Sequence, residues 1–138
     1  MGLELAGLMI EFHLDSRSGV PTYLQLVQQV KQSVRLGLLR PGDQLPRVKD
    51  VVAKLVINPN TVLKAYRELD IEGIVEGRRG QGTFVVATLP SPPLENHELV
   101  QKALVRWFES ARKAGLDEEA VTALFATALR AAFFKKAA

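Results

Sequence analysis

A chain of 138 residues has room for one modest domain and an accessory element, not for two full domains. Hydrophobic residues make up 47%, enough for a folded core, and a net charge of +3 permits nucleic-acid binding without requiring it. The absence of cysteine excludes a disulfide framework and thiolate chemistry, and no apolar run reaches the ~20 residues that cross a bilayer, so a cytoplasmic protein without membrane contact is expected.

Met1–Leu8 is weakly patterned, and no charged n-region precedes an apolar run there, so it does not read as a signal peptide. Ile10–Asp15 alternates apolar and polar residues, which predicts a short strand. Ser16–Gly19 reads as a loop. Pro21 opens a long helix, Thr22–Leu38, in which Leu24, Val27, Val30, Val34 and Leu38 keep helical spacing. Tyr23, near its start, reads as a packing residue. Arg40–Asp43 is a turn, and Gln44–Leu45 a brief extended segment.

Arg47–Leu55 follows Pro46 as a second, short helix with Val48, Val51, Val52 and Leu55 on one face. Three residues, Val56–Asn58, lead into a third. Asn58 is suited to cap that helix through its side chain, and Pro59 to its first position, where no N–H is needed. Val62, Ala65, Tyr66 and Leu69 form its buried face, while 100° steps bring Asn60, Lys64 and Arg67 together on the opposite one. An amide can pair with base edges, and cations can reach guanine or phosphate. Alone, such a face is more often merely solvated; its surroundings raise the odds.

Two helices joined by so short a turn predict a helix-turn-helix, whose second helix enters the major groove. Gly73 ends the third helix. Two β-prone runs, Ile74–Glu76 and Thr83–Ala87, flank a glycine-rich turn, Gly77–Gly82, and predict a hairpin with Arg78 and Arg79 at its tip. The whole is a winged helix-turn-helix. From Arg40 to Val86 there are eight cations against six acids, so a basic footprint must come from placement and not from bulk charge.

The stretch LPRVKDVVAKLVINPNTVLKAYRELDIEGIVEGRRGQGTFV resembles the DNA-binding domain of the GntR family of bacterial transcription regulators. The usual pattern there is LPSxRxLAxxLxVxxxTVxxAYxxLxxxGxIxxxxGxGTFV. The resemblance covers roughly Ile10 to Val86 and is specific, because several motifs recur in order. The NPNTV form and the short chain are similar to the YtrA-like subfamily. Arg47 stands where the family usually has Ser, and Lys49 where it usually has a DNA-contacting Arg. A lysine ammonium is a point charge, which suits a phosphate better than a bidentate guanine contact. The residues expected to meet DNA are Arg47, Lys49, Asn58, Asn60, Thr61, Lys64, Arg67, Arg78, Arg79, Gly80 and Gln81. The resemblance implies a regulator, most often a repressor, acting on double-stranded DNA.

Leu89–Pro93 holds three prolines and reads as a stiff connector. The expected division is a winged domain over 9–88, a linker over 89–94 and a two-helix element over 95–136. Its first helix, Glu95–Ala114, carries a stripe that includes Leu104, Trp107 and Phe108. Gly115 breaks it. Asp117 caps the second, with Glu118 and Glu119 at its positive end and Lys135 and Lys136 at its negative end. Around Leu124, Phe125, Leu129 and Phe133 that second helix is apolar on most sides, more than one neighbour covers. A symmetric pair of hairpins would cover it, as a four-helix arrangement. A homodimer is therefore expected through Leu104, Trp107, Phe108, Leu124, Phe125, Leu129 and Phe133, on a palindromic operator. YtrA-like proteins share this layout.

The fold class expected is mostly α with a small β wing. Folding of the two helices back onto the winged domain is the simpler alternative to dimerisation. His13 and His97 are far apart and lack ligand-spaced partners, so no metal site is expected. Gly77–Gly82 lacks the Lys-Ser/Thr ending of a phosphate-binding loop. No nucleophile, acid/base pair or cofactor loop is found, hence no enzyme and no cofactor. Two helices leave no room for the effector pocket of larger relatives, and no small-molecule effector is indicated. A winged-helix module for protein assembly is the rival reading; it would not need Lys49, Lys64, Arg78 and Arg79 on the groove side.

Overall fold

A computed structural model describes residues 10–89 and 94–134. The elements are helices α1 (Thr22–Arg35), α2 (Val48–Leu55) and α3 (Pro59–Ile71), strands β1 (Val75–Arg78) and β2 (Gly82–Val85), and helices α4 (Leu94–Lys113) and α5 (Glu118–Phe133). Met1–Leu8, most of the expected connector, and Lys135 and Lys136 lie outside the described residues. The chain divides into two compact units, Met1–Pro92 and Pro93–Ala138.

In the first unit α3 packs against α1, α2 and β1. Val62, Ala65, Tyr66 and Leu69 are its buried residues, as their spacing predicts. They meet Leu26, Val27, Val30 and Val34 of α1, Val51 of α2, and Leu45, Val75 and Val85 beside the hairpin. Each fully buried Leu or Val contributes about 1.5–3 kcal/mol relative to exposure. The Tyr66 hydroxyl donates to the Pro46 carbonyl at 2.6 Å, and burial pushes its pKa upward. This bond ties α3 to the start of α2 inside the core.

Helix ends follow from local chemistry. The Asn58 side chain accepts from the Asn60 amide at 2.8 Å, and Pro59 occupies the first turn. After α3, Gly73 takes φ +80, and the Ile74 amide donates to the Leu69 carbonyl. Helix α1 is shorter than the expected Thr22–Leu38. Gly37 adopts φ +78, and the Leu38 amide turns back to the Ser33 carbonyl at 2.8 Å. Glycine at that position stops the helix before Leu38 can extend the apolar stripe.

Ile10–Asp15 is not a strand. Its alternation is sound, since Phe12 is buried and Ile10 and Leu14 pack against the core, but among the described residues no strand pairs with it. Two glutamines of α1 take that place. Gln29 accepts from the His13 amide (3.0 Å) and donates to the His13 carbonyl (2.6 Å). Gln25 does the same for Asp15, at 2.8 and 3.1 Å. Spaced i, i+4 on α1, they satisfy the segment's backbone as a neighbouring strand would.

The wing pairs Val75 with Val85, Glu76 with Phe84, Gly77 with Thr83 and Arg78 with Gly82, antiparallel. The turn is tighter than the expected Gly77–Gly82: Arg78 closes β1 and Gly82 opens β2, so Arg79, Gly80 (φ +74) and Gln81 form the tip, with the Gln81 amide bonded to the Arg78 carbonyl. The brief extended segment at Gln44–Leu45 joins the wing as a third rung. The Leu45 amide donates to Thr83, and the Val85 amide to Asp43, each at 2.8 Å.

In the second unit a short turn joins α4 and α5, and side chains of the two helices touch. Gly115 (φ +91) ends α4, and the Asp117 side chain caps α5 through the Ala120 amide at 2.9 Å. Trp107, Phe108 and Phe125 form an aromatic cluster with ring centroids 5.1–6.1 Å apart. No residue of α5 is buried.

Candidate nucleic-acid interface

The candidate surface is built from three places: the start of α2, the outer face of α3, and the wing turn. The turn between α2 and α3 sets the first two against each other. Val56 sits there with φ +55, a left-handed conformation that costs a β-branched residue. It lets the chain reverse within three residues, so that Asn58 can begin α3.

On α3 the outer face carries Asn60, Lys64 and Arg67, all exposed. Lys64 is not free there. Its ammonium lies 4.1 Å from the centre of the Tyr23 ring, a cation–π contact that holds it toward the start of α1. Tyr23 is therefore more than a packing residue. Leu63, which the sequence reading passed over, is 44% exposed. At 100° steps it falls beside Asn60 and Arg67, so the wheel that grouped the polar residues could have found it. An apolar group there suits a thymine methyl. Thr61 is half-buried in the first turn. The Asn58 side-chain oxygen is engaged as the helix cap, which removes its acceptor from base recognition.

The ion pairs sort the cations. Lys31 is bound to Glu72 and Lys54 to Glu11, each at 2.8 Å. Lys54 holds the Glu11 carboxyl below its usual pKa through that hydrogen bond. Arg78 lies 3.6 Å from Glu76, with its guanidinium 4.5 Å from the centre of Phe84, so it lies along the wing and not at its tip. Lys49, Arg67 and Arg79 are exposed and make no ion pair with a described residue. These three stand one in each part of the surface: α2, α3 and the wing tip.

Arg47 directly precedes α2 but does not cap it. Its guanidinium donates to the Gln81 carbonyl at 2.9 Å, and the Gln44 side chain donates to the same oxygen at 3.1 Å. Gln44 was not among the expected site residues. Its partner is 37 residues away, so no local pattern could have revealed it.

Known proteins are similar to this chain. The family model described as bacterial regulatory proteins, gntR family, matches residues 22–85. The HTH-type transcriptional repressor YtrA of Bacillus subtilis is 37% identical over 107 residues, which is 77% of this chain and 82% of that protein. Among solved structures, a transcriptional antiterminator from Listeria monocytogenes superposes with a TM-score of 0.55 at 28% identity, covering 86% of this chain and 89% of the other. YtrA from Sulfolobus acidocaldarius, a GntR-family transcription factor, gives 0.52 at 26% identity, over 71% and 97%. The winged helix-turn-helix and these likenesses agree: the chain belongs to the GntR family of bacterial regulatory proteins.

Proposed function

We propose that this DNA-binding regulator is a cytoplasmic repressor that binds a palindromic operator as a homodimer. The observation that carries the DNA contact is that Lys49, Arg67 and Arg79, exposed and without an ion pair among the described residues, are spread over α2, α3 and the wing tip. Base readout falls to Asn60 and Arg67, with Leu63 offered to thymine methyls and Lys64, steadied by Tyr23, beside them. Lys49 and Arg79 serve the phosphates. The relative named a repressor supports the direction of regulation.

The homodimer rests on the second unit. Leu124, Phe125, Leu129 and Phe133 of α5 are exposed, as are Leu104 and Phe108 of α4, and Trp107 is half-buried. A contiguous apolar surface of this kind marks an interface. A second copy of the hairpin has the matching surface by symmetry. Two tethered winged domains then meet two half-sites, and two-fold symmetry in the protein predicts it in the DNA.

Selection of bound sequences from a random DNA pool tests the reading. The expected product is a palindrome with half-sites ~34–36 Å apart, about one helical turn or a multiple of it. A pool that enriches no sequence would contradict specific binding. One that enriches a single asymmetric half-site would contradict the homodimer.

A further inference from the structure

A two-stranded hairpin with four-residue strands is marginal by itself in water. A wing tip that carries one cation to a phosphate binds well only if it is held before the DNA arrives, because ordering a loop on binding costs affinity. The structure contains a device that holds it. The Gln81 carbonyl, the last in the turn, accepts from both Arg47 and Gln44. The Gln81 amide on the other side of that residue closes the turn onto Arg78. Gly82 follows with φ +127, and the Gln44 side chain fills the space a Cβ would need there. So the turn is fastened at its foot by two side chains from the segment that leads into α2.

Arg47 has given up an alternative task for this one. It occupies the N-cap of α2, a position favouring Ser, Thr, Asp or Asn, yet makes no capping bond. Its side chain reaches across to the wing, 34 residues on in the chain.

We infer that Arg47 is a positioning residue: it fixes the wing turn to the start of α2, so that the wing tip and α3 meet DNA as one rigid surface. The inference rests on the proposed contact between Arg79 and phosphate. Arg47 acts through the turn and not by its own phosphate contact. Gln44 is the second member of the clamp.

The test is a double-mutant cycle in the full-length chain. Arg47→Ser, Arg79→Ala and the double variant are compared with the parent for affinity to the selected operator over a range of salt, after circular dichroism shows all four folded. Arg79→Ala alone should flatten the plot of log K against log salt by about one unit. Arg47→Ser should weaken binding about two- to tenfold, the cost of ordering a released loop, and flatten the slope by up to the same unit. The double variant should resemble either single one, because a tip no longer held makes no contact to lose. Gln44→Ala should show the same non-additivity with a smaller loss. Additive slopes, about two units in the double variant, would mean that Arg47 makes its own phosphate contact and would overturn the inference while leaving the DNA-binding reading intact. An unchanged slope in Arg79→Ala would remove the wing contact itself and the inference with it.

Discussion

The two units of this chain treat their apolar residues in opposite ways. The winged unit closes fifteen buried residues into one core. The helix hairpin buries only Ala111 among its described side chains, at 7% exposure, and leaves Phe133 77% and Leu124 47% exposed. Composition does not separate them, since both are rich in apolar residues. Geometry does: three helices and a hairpin can surround a centre, but two helices have only one shared seam. We propose that a second copy of the hairpin covers this exposed apolar surface and so brings two winged units to one DNA site.

The largest way to break the comparison is to cut it. A fragment ending at Pro92 retains every residue of the core, and Leu89, which packs against it. It should bind the selected operator about 10²–10⁴-fold more weakly than the full chain, because the second half-site is no longer engaged intramolecularly. A gel-shift or fluorescence titration of both proteins checks this. Equal affinities would deprive the hairpin of its role.

Substitutions sharpen the contrast at single residues. Leu69→Ala empties a fully buried position in the core and should lower stability by about 2–5 kcal/mol. Denaturant melts should show that loss at every protein concentration. Phe125→Ala, in the half-covered aromatic cluster, should instead make the melt of the intact protein depend differently on concentration, since it acts on association.

A smaller effect is expected at Tyr66. Tyr66→Phe leaves the buried Pro46 carbonyl without its donor and should cost about 1–3 kcal/mol. Burial raises the phenol pKa above its unfolded value near 10. Folding therefore favours the neutral form; that contribution is complete below pH ~10 and is lost as pH rises beyond it. The parent should lose stability in that alkaline range, and Tyr66→Phe should lose less. Equal slopes of stability against pH would show that the Tyr66 phenol does not govern the alkaline limb.

The smallest effect has the opposite sign. Val56 is 86% exposed in a left-handed conformation. Val56→Asn should raise stability by about 1 kcal/mol by relieving that strain. A loss of stability would show that Val56 makes a contact worth more than its strain.

Much of this architecture was legible because it is local. The cap at Asn58, Pro59 after it, the buried stripe of α3, Gly73, Gly115 and the Asp117 cap are each signalled within a few residues, and each stands where the sequence placed it. Other parts depend on side-chain contacts that the pattern of apolar and polar residues does not show. Ile10–Asp15 has the alternation of a strand, but its hydrogen bonds come from two glutamine side chains on α1. Lys64 falls on the expected face, yet Tyr23, forty-one residues earlier, decides where its ammonium rests. Arg78 is expected at the wing tip, but its neighbours Glu76 and Phe84 lay it along the strand. The Arg47 and Gln44 bonds to Gln81 join positions with no shared pattern at all.

We propose that the winged unit is complete alone and that the helix hairpin needs a second copy. Sedimentation equilibrium of the intact chain beside the fragment ending at Pro92 tests it most directly. The intact chain should sediment as a dimer over micromolar concentrations and the fragment as a folded monomer. A monomeric intact chain, or a fragment that still dimerises, would contradict it.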